Sequence, residues 1–304
     1  MTETETDQYD SPWKEAVENF FPEFMAMYFP EAHGAIDWRS DYTFLDQELR
    51  QVVRDAEAGA RRVDKLVRVT RLVGGHQLVY IHVEIQGYRD AALAQRVFTY
   101  NYRLFDRYQS PIASLVVLAD AAPDWKPTQF VYEIFGCRTG IAFPVVKLLD
   151  WQDRLEALLA DPNPFALVTA AHLLTQATRK DAQSRYTAKR KLVRLLYGRG
   201  WEKEAVMNLL AVIDWMMHLP PFLEQQLWKE IMTIEKEDKM RYVMSFERFA
   251  EERGEIKGKI KGKIENLEEL QRNGILTREQ MEQFMAPLRL QLQNLKFPES
   301  GQAA

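Results

Sequence analysis

Two neighbouring stretches, RRVDKLVRVTRLV and HQLVYIHVEIQG, flank a glycine pair at Gly74 and Gly75. In the second stretch Val79, Ile81, Val83 and Ile85 fall on one side, while Leu78, Tyr80, His82, Glu84 and Gln86 fall on the other. A period of two over this length specifies an extended strand with two distinct faces. Two such runs around Gly-Gly specify a hairpin. Its β-branched face needs a cover, so the surrounding chain has to supply a further layer. The other face ends in His-x-Glu-x-Gln. One wet face of an antiparallel strand would account for those residues with no chemistry at all.

The flanking segments supply the cover. SPWKEAVENFFPEFMAMYFPE is helical by spacing, with Ser11 as N-cap and Trp13, Val17, Phe20, Phe21, Phe24 and Tyr28 on its apolar side. Pro22 predicts a kink or two short helices there. DYTFLDQELRQVVRDAEAG reads as a short extended piece and a helix ending at Gly59. After the hairpin, ALAQRVFTYNYRLFDRY is a helix with two stripes. Ala94, Val97, Phe98, Leu104, Phe105 and Tyr108 form the one expected to be buried; Arg96, Tyr100, Arg103 and Arg107 form a basic one. PIASLVVLAD is expected as a buried strand, and FVYEIFG and IAFPVVKLLD as further extended pieces. Beyond Trp151 the segments are helical by period. GEIKGKIKGKIE, from Gly254 to Glu265, repeats a tetrad whose isoleucines make a narrow stripe suited to a partner helix. The expected class is mixed α/β, with residues 1–10 disordered, a sheet domain over 11–150, a helical domain over 151–250 and a helical tail over 251–304.

Bulk properties exclude several classes. The single cysteine, Cys137, rules out a disulfide framework and a cysteine zinc site, and is expected as a small buried hydrophobe. No run of about 18 apolar residues is present, so no spanning helix is expected. The acidic start, MTETETDQYD, has neither the basic nor the apolar region of a signal peptide, which points to a cytoplasmic protein. Phosphate-loop and serine-elbow motifs are absent. The net charge is −4, yet basic residues cluster: nine Lys or Arg against Asp181 and Glu202 over 179–203, and seven against three acids over 50–71. Such clusters suit nucleic acid, and equally suit solvated helix faces.

The hairpin carries the sharpest signal. Asp64 lies on its first strand, and Glu84 and Gln86 on its second. Two carboxylates about 4 Å apart repel by roughly 4 kcal/mol at an effective dielectric of 20. Mg²⁺ offsets such repulsion and, so held, polarises a phosphodiester. Parity adds a geometric condition. A two-residue turn at Gly74-Gly75 would pair Asp64 with Ile85 and put it opposite the Glu84 face. An odd-length loop or a bulge would pair Asp64 with Gln86, with Glu84 diagonally beside it.

The Asp64…Glu84-x-Gln86 pattern and the order of elements resemble the PD-(D/E)XK nuclease superfamily, and in particular its branch of recombination-promoting nucleases and putative transposases. DSPWKEAVENFFPEF (Asp10, Trp13, Lys14) is similar to that branch's opening motif. RRVDKLVRV and IHVEIQG resemble its two metal-site strands, and QRVFTYNYRLFDRY its following helix, with Arg96 and Tyr100 in place. The resemblance runs to about residue 250. It implies a restriction-endonuclease-like core sheet flanked by helices, with Asp64 and Glu84 as ligands of Mg²⁺ or Mn²⁺. Gln86 would stand where many members carry lysine, and so hold a water without contributing charge. Asp10, Glu15 or Glu18 would supply a third acid. Lys14, His82, Arg96 and Tyr100 would support the site or contact DNA.

Two functions follow. One is a Mg²⁺-dependent endonuclease acting on DNA, with links to recombination or mobile elements by analogy. The other is a nuclease-fold protein without strong catalysis, acting as an oligomeric or DNA-binding module through its C-terminal helices. The acids favour the first; Gln86 and the acidic net charge favour the second.

Overall fold

The computed structural model describes residues 10–46, 49, 63–72 and 77–237, with ten further positions between 263 and 288. The side chains of Asp10 and Asp64 fall outside the described part. The chain divides into two compact units, Met1–Trp228 and Lys229–Ala304. The predicted disordered start and the tetrad helix lie outside the described residues, apart from isolated positions such as Ile264 and Leu267.

The first unit opens with α1 (Asp10–Asn19), α2 (Phe21–Tyr28) and the short α3 (Pro30–Gly34). Pro22 sits in the first turn of α2, where its missing N–H costs nothing, so the proline splits the predicted helix in two. The helix begins at Asp10, one residue before the predicted cap.

A five-stranded mixed sheet follows. Its spatial order is β1 (Thr43–Phe44), β2 (Val63–Arg71), β3 (Gln77–Gln86), β4 (Ile112–Leu118) and β7 (Val145–Lys147). β2 and β3 pair antiparallel; β3, β4 and β7 run parallel. The parallel step from β3 to β4 needs a crossover, and α4 (Leu93–Tyr108) provides it. The mixed α/β class read from the sequence is therefore the one found.

Pairing of Arg71 with Gln77 leaves an odd number of residues in the hairpin connection. That parity puts Asp64 directly opposite Glu84, one step from the predicted partner Gln86 but on the same face. Helix α4 covers this face. Leu93 and Val97 pack with Val116 and Leu118, and Leu104 packs with Leu66 and Leu49. On the other face Lys65 turns toward Glu18 of α1 and Asp46, with its ammonium above the Phe44 ring.

Between β4 and β7 the chain forms a separate hairpin, β5 (Gln129–Ile134) and β6 (Cys137–Ala142). Phe98 of α4 holds it through Phe130, at 5.3 Å between ring centroids, and Tyr132, at 6.3 Å. Its two-residue turn has positive φ at both Phe135 (51°) and Gly136 (75°), the twist that tight hairpins require. Cys137 beside the turn is exposed, against the buried role predicted for it. A two-stranded hairpin has no second layer to hide it.

The helical part, α5 (Leu155–Ala160), α6 (Pro164–Ala177), α7 (Ala182–Gly198), α8 (Lys203–Met216) and α9 (Pro221–Glu237), begins after a 3-10 segment over Leu148–Arg154. α6 is buried along most of its length. Trp13 of α1 stacks on its Phe165 at 6.1 Å and meets His172 edge-on at 5.9 Å. Helices α5 to α8 belong to the same compact unit as the sheet, and α9 crosses its boundary at Trp228. Among the described residues no helix is long and apolar enough to cross a membrane.

Candidate functional site

Glu84 has no solvent exposure, and His82 and Gln86 on the same face are 0% and 2% exposed. This removes the simplest account of the His-x-Glu-x-Gln run, which needs a wet face. An ionised carboxylate without water has to find a charged partner or lose its charge.

Arg96 is that partner. One terminal nitrogen, Nη2, donates to Glu84 Oε1 at 2.6 Å and to Gln86 Oε1 at 2.8 Å. The other, Nη1, donates to Asp90 Oδ2 at 2.5 Å. Asp90 is itself anchored at the start of α4, accepting from the Ala92 amide at 2.9 Å. The planar fork of arginine suits this division, one prong to the sheet and one to the loop that leads into its own helix. Gln86 completes its bonding by donating from Nε2 to the Tyr88 carbonyl at 2.9 Å.

The sequence reading of α4 needs correction here. Its buried residues are Leu93, Arg96, Val97, Tyr100 and Leu104, so Arg96 and Tyr100 lie inward. Phe105, predicted as core, is 49% exposed. Hydrophobicity alone assigns arginine to water; a buried carboxylate on the facing strand reverses that preference.

His82 lies beside Glu84 in the same dry layer. Asn101 Nδ2 donates to Ser114 Oγ at 3.1 Å, and Ser114 Oγ lies 3.4 Å from His82 Nδ1. On the other side of the ring Nε2 lies 3.9 Å from Glu84 Oε2, too long for a hydrogen bond. Burial pulls the His82 pKa down to about 4, opposed by Glu84, so the ring is neutral at pH 7. Tyr100 packs edge-on against it at 5.8 Å. His82 and Arg96 thus lie beside Glu84, and Tyr100 packs against His82.

The first helix stands differently. Glu18 is engaged by Lys65 on the opposite face of the sheet from Glu84, so it adds nothing to this cluster. Glu15 is buried on α1 and Lys14 is half-buried. Asp90, Asn101 and Ser114 were not singled out from the sequence. Asp90 carries one legible signal, an Asp shortly before a helix whose side chain can accept from the amide two residues on.

The donors available for a cation at this pole are the Glu84 carboxylate, the Gln86 amide oxygen and, by register, Asp64. They are all hard oxygens, a set that fits Mg²⁺ or Mn²⁺ rather than a soft metal. Among the described residues no three His, Cys, Asp or Glu side chains converge on one point; Asp64, whose side chain is not described, is outside that search.

Of the nine basic residues over 179–203, Arg185, Lys189 and Arg199 are spent on the fold, while Arg179, Lys180, Lys191, Arg194 and Lys203 are exposed. Lys189, buried, binds Asp214 and Glu224, each at 2.7 Å. Arg185 donates to the carbonyls of Thr175, Thr178 and His218, and Arg199 to those of Leu159 and Asp161. These arginines cap chain ends and are not displayed for phosphate. Most of the 50–71 cluster lies outside the described residues.

Comparison of the chain with family models, with curated proteins and with solved structures returns no match.

Proposed function

We propose that this protein is a divalent-metal-dependent endonuclease acting on DNA, with Asp64 and Glu84 as the acidic pair and Mg²⁺ or Mn²⁺ as the metal. One observation carries the reading: Asp64 and Glu84 are direct cross-strand partners, with Gln86 two residues on along the same face. Directly opposed positions put Cβ atoms about 4.5–5.5 Å apart, the spacing at which two carboxylates share one cation. The resemblance in sequence to the nuclease superfamily is the second support.

In this reading Glu84 and Asp64 would hold the metal. Mg²⁺ in such a place would supply positive charge that polarises a phosphodiester and acidifies an attacking water. The chain's own residues do the rest. Arg96 gives Glu84 a charged partner, Gln86 shares the same guanidinium nitrogen, and His82 stays neutral beside Glu84. The layer of α4 over the sheet excludes bulk water, which strengthens every charge interaction at the pole. The described part of the chain contributes a single acidic pole; a second copy, joined through the C-terminal helices, would supply the opposite cut in a duplex.

The test is nicking of supercoiled plasmid with Mg²⁺ or Mn²⁺ by the wild type, Asp64→Ala and Glu84→Ala, with each variant's fold checked by circular dichroism. Both folded variants are expected to lose about 100-fold or more of the rate. Cutting that survives both substitutions overturns the assignment.

A second reading rests on Arg96. Its guanidinium gives Glu84 a counter-ion from within the chain, as a nuclease fold used for binding alone would require. Mn²⁺ affinity separates the two, because a binding-only module has no Glu84-dependent metal site.

A further inference from the structure

The guanidinium of Arg96 is held in two halves that differ in what they touch. Nη1 is tied to Asp90, an acid in the loop that leads into the same helix, which also receives the Ala92 amide; the Asp90 backbone carbonyl accepts from Leu93. Nη2 reaches the sheet, at Glu84 Oε1 and Gln86 Oε1. Loss of the Nη2 contacts would therefore leave the arginine docked and the helix start intact. The Arg96 and Glu84 side chains are 3% and 0% exposed, so water cannot stand in for either partner. While Glu84 is ionised, some cation has to neutralise it.

We infer that Arg96 is the resident cation of this site in the metal-free protein, and that a divalent ion binds by displacing Nη2 from Glu84 while Nη1 remains on Asp90. This inference rests on the metal-site reading above and adds to it a competitor built into the chain. The wild-type affinity for metal is then lowered by the fraction of molecules in which the guanidinium holds the carboxylate. Asp90 sets that fraction. With its charge gone, the guanidinium has one fewer acid to satisfy it and leans harder on Glu84.

The experiment is Mn²⁺ titration calorimetry on the full chain, with no DNA present. Arg96→Met is expected to bind Mn²⁺ about tenfold more tightly than the wild type. Arg96→Lys, which keeps the charge but lacks the fork, is expected to fall between them. Asp90→Asn is expected to bind more weakly than the wild type. Glu84→Gln is expected to abolish binding in every background. Should Arg96→Met fail to fold, Arg96→Lys and Asp90→Asn carry the test through their opposite signs, which a purely structural role for Arg96 would not give. Glu84-dependent binding that is no tighter in either Arg96 variant overturns the displacement and leaves the metal site standing. Absence of Glu84-dependent binding in all of them overturns both.

Discussion

Among the described residues Lys65, Arg96 and Lys189 are buried cations that each hold two acids, and the last two differ in how far solvent reaches those acids. Lys189 joins α7 to Asp214 of α8 and Glu224 of α9, and those acids are 34% and 20% exposed. Solvent shares their charge, so each carboxylate would be tolerable alone. Arg96 joins α4 to Glu84, which has no exposure and faces a second acidic position across the strand pair. Here the charge has no solvent to fall back on. Desolvation of an ion costs several kcal/mol, and a chain optimised only for stability could fill that layer with apolar side chains at less expense. The presence of Glu84, Gln86 and His82 in a dry layer supports the metal site proposed above. The helical clasp needs no such explanation.

The largest test of the contrast is removal of each cation by a side chain of similar length. Arg96→Met should destabilise the fold by about 3–5 kcal/mol, because Glu84 stays buried without its partner. Urea unfolding followed by far-ultraviolet circular dichroism measures it. Lys189→Met should cost about 1–2 kcal/mol in the same assay, since Asp214 and Glu224 can turn to water. Equal losses would erase the distinction.

Acid sharpens the comparison from another side. His172 of α6 is buried against the Ala119 carbonyl at the end of β4, and burial pulls its pKa to about 4, below the usual 6.5. A group depressed in this way takes up its proton more readily when unfolded, so its contribution is present above pH 6.5 and is lost as pH falls toward 4. His82 behaves alike. Between pH 7 and pH 5 each histidine should remove about 2 kcal/mol of stability, and His172→Gln should flatten the profile by that amount. Unfolding midpoints at the two pH values provide the measurement. A profile unchanged by the substitution would show that His172 is not buried as a neutral ring.

The smallest effect is that of salt. Raising NaCl from 0.1 to 1 M shortens the screening length from about 10 to about 3 Å. The half-solvated Lys189 cluster should lose about 0.5 kcal/mol of its pairing energy, and the dry Arg96 cluster less. Comparing the cost of Lys189→Met and Arg96→Met at both salt concentrations reads this out. A larger salt response at Arg96 would mean that water reaches Glu84 after all.

The sequence by itself determined the elements and their pattern. The β-branched alternation from Val79 to Ile85 has one physical outcome, a strand with an apolar face, and the apolar period after Gly87 has one as well, a covering helix. Pro22 decided where the first helix breaks. The sequence also limited Asp64 and Glu84 to two arrangements, same face or opposite faces, because side-chain direction follows parity alone. Tertiary structure decided between them, through the length of the connection after Arg71. It also turned Arg96 inward and Phe105 outward, against their hydrophobicity, because a buried carboxylate attracts a guanidinium more strongly than water does once the helix has covered the strand. The exposure of Cys137 and the use of Lys189, Arg185 and Arg199 within the fold were likewise decided by packing. Local sequence fixes periods and faces; it does not record which charge will meet which across a layer, since those partners lie many residues apart and come together only when the sheet is covered.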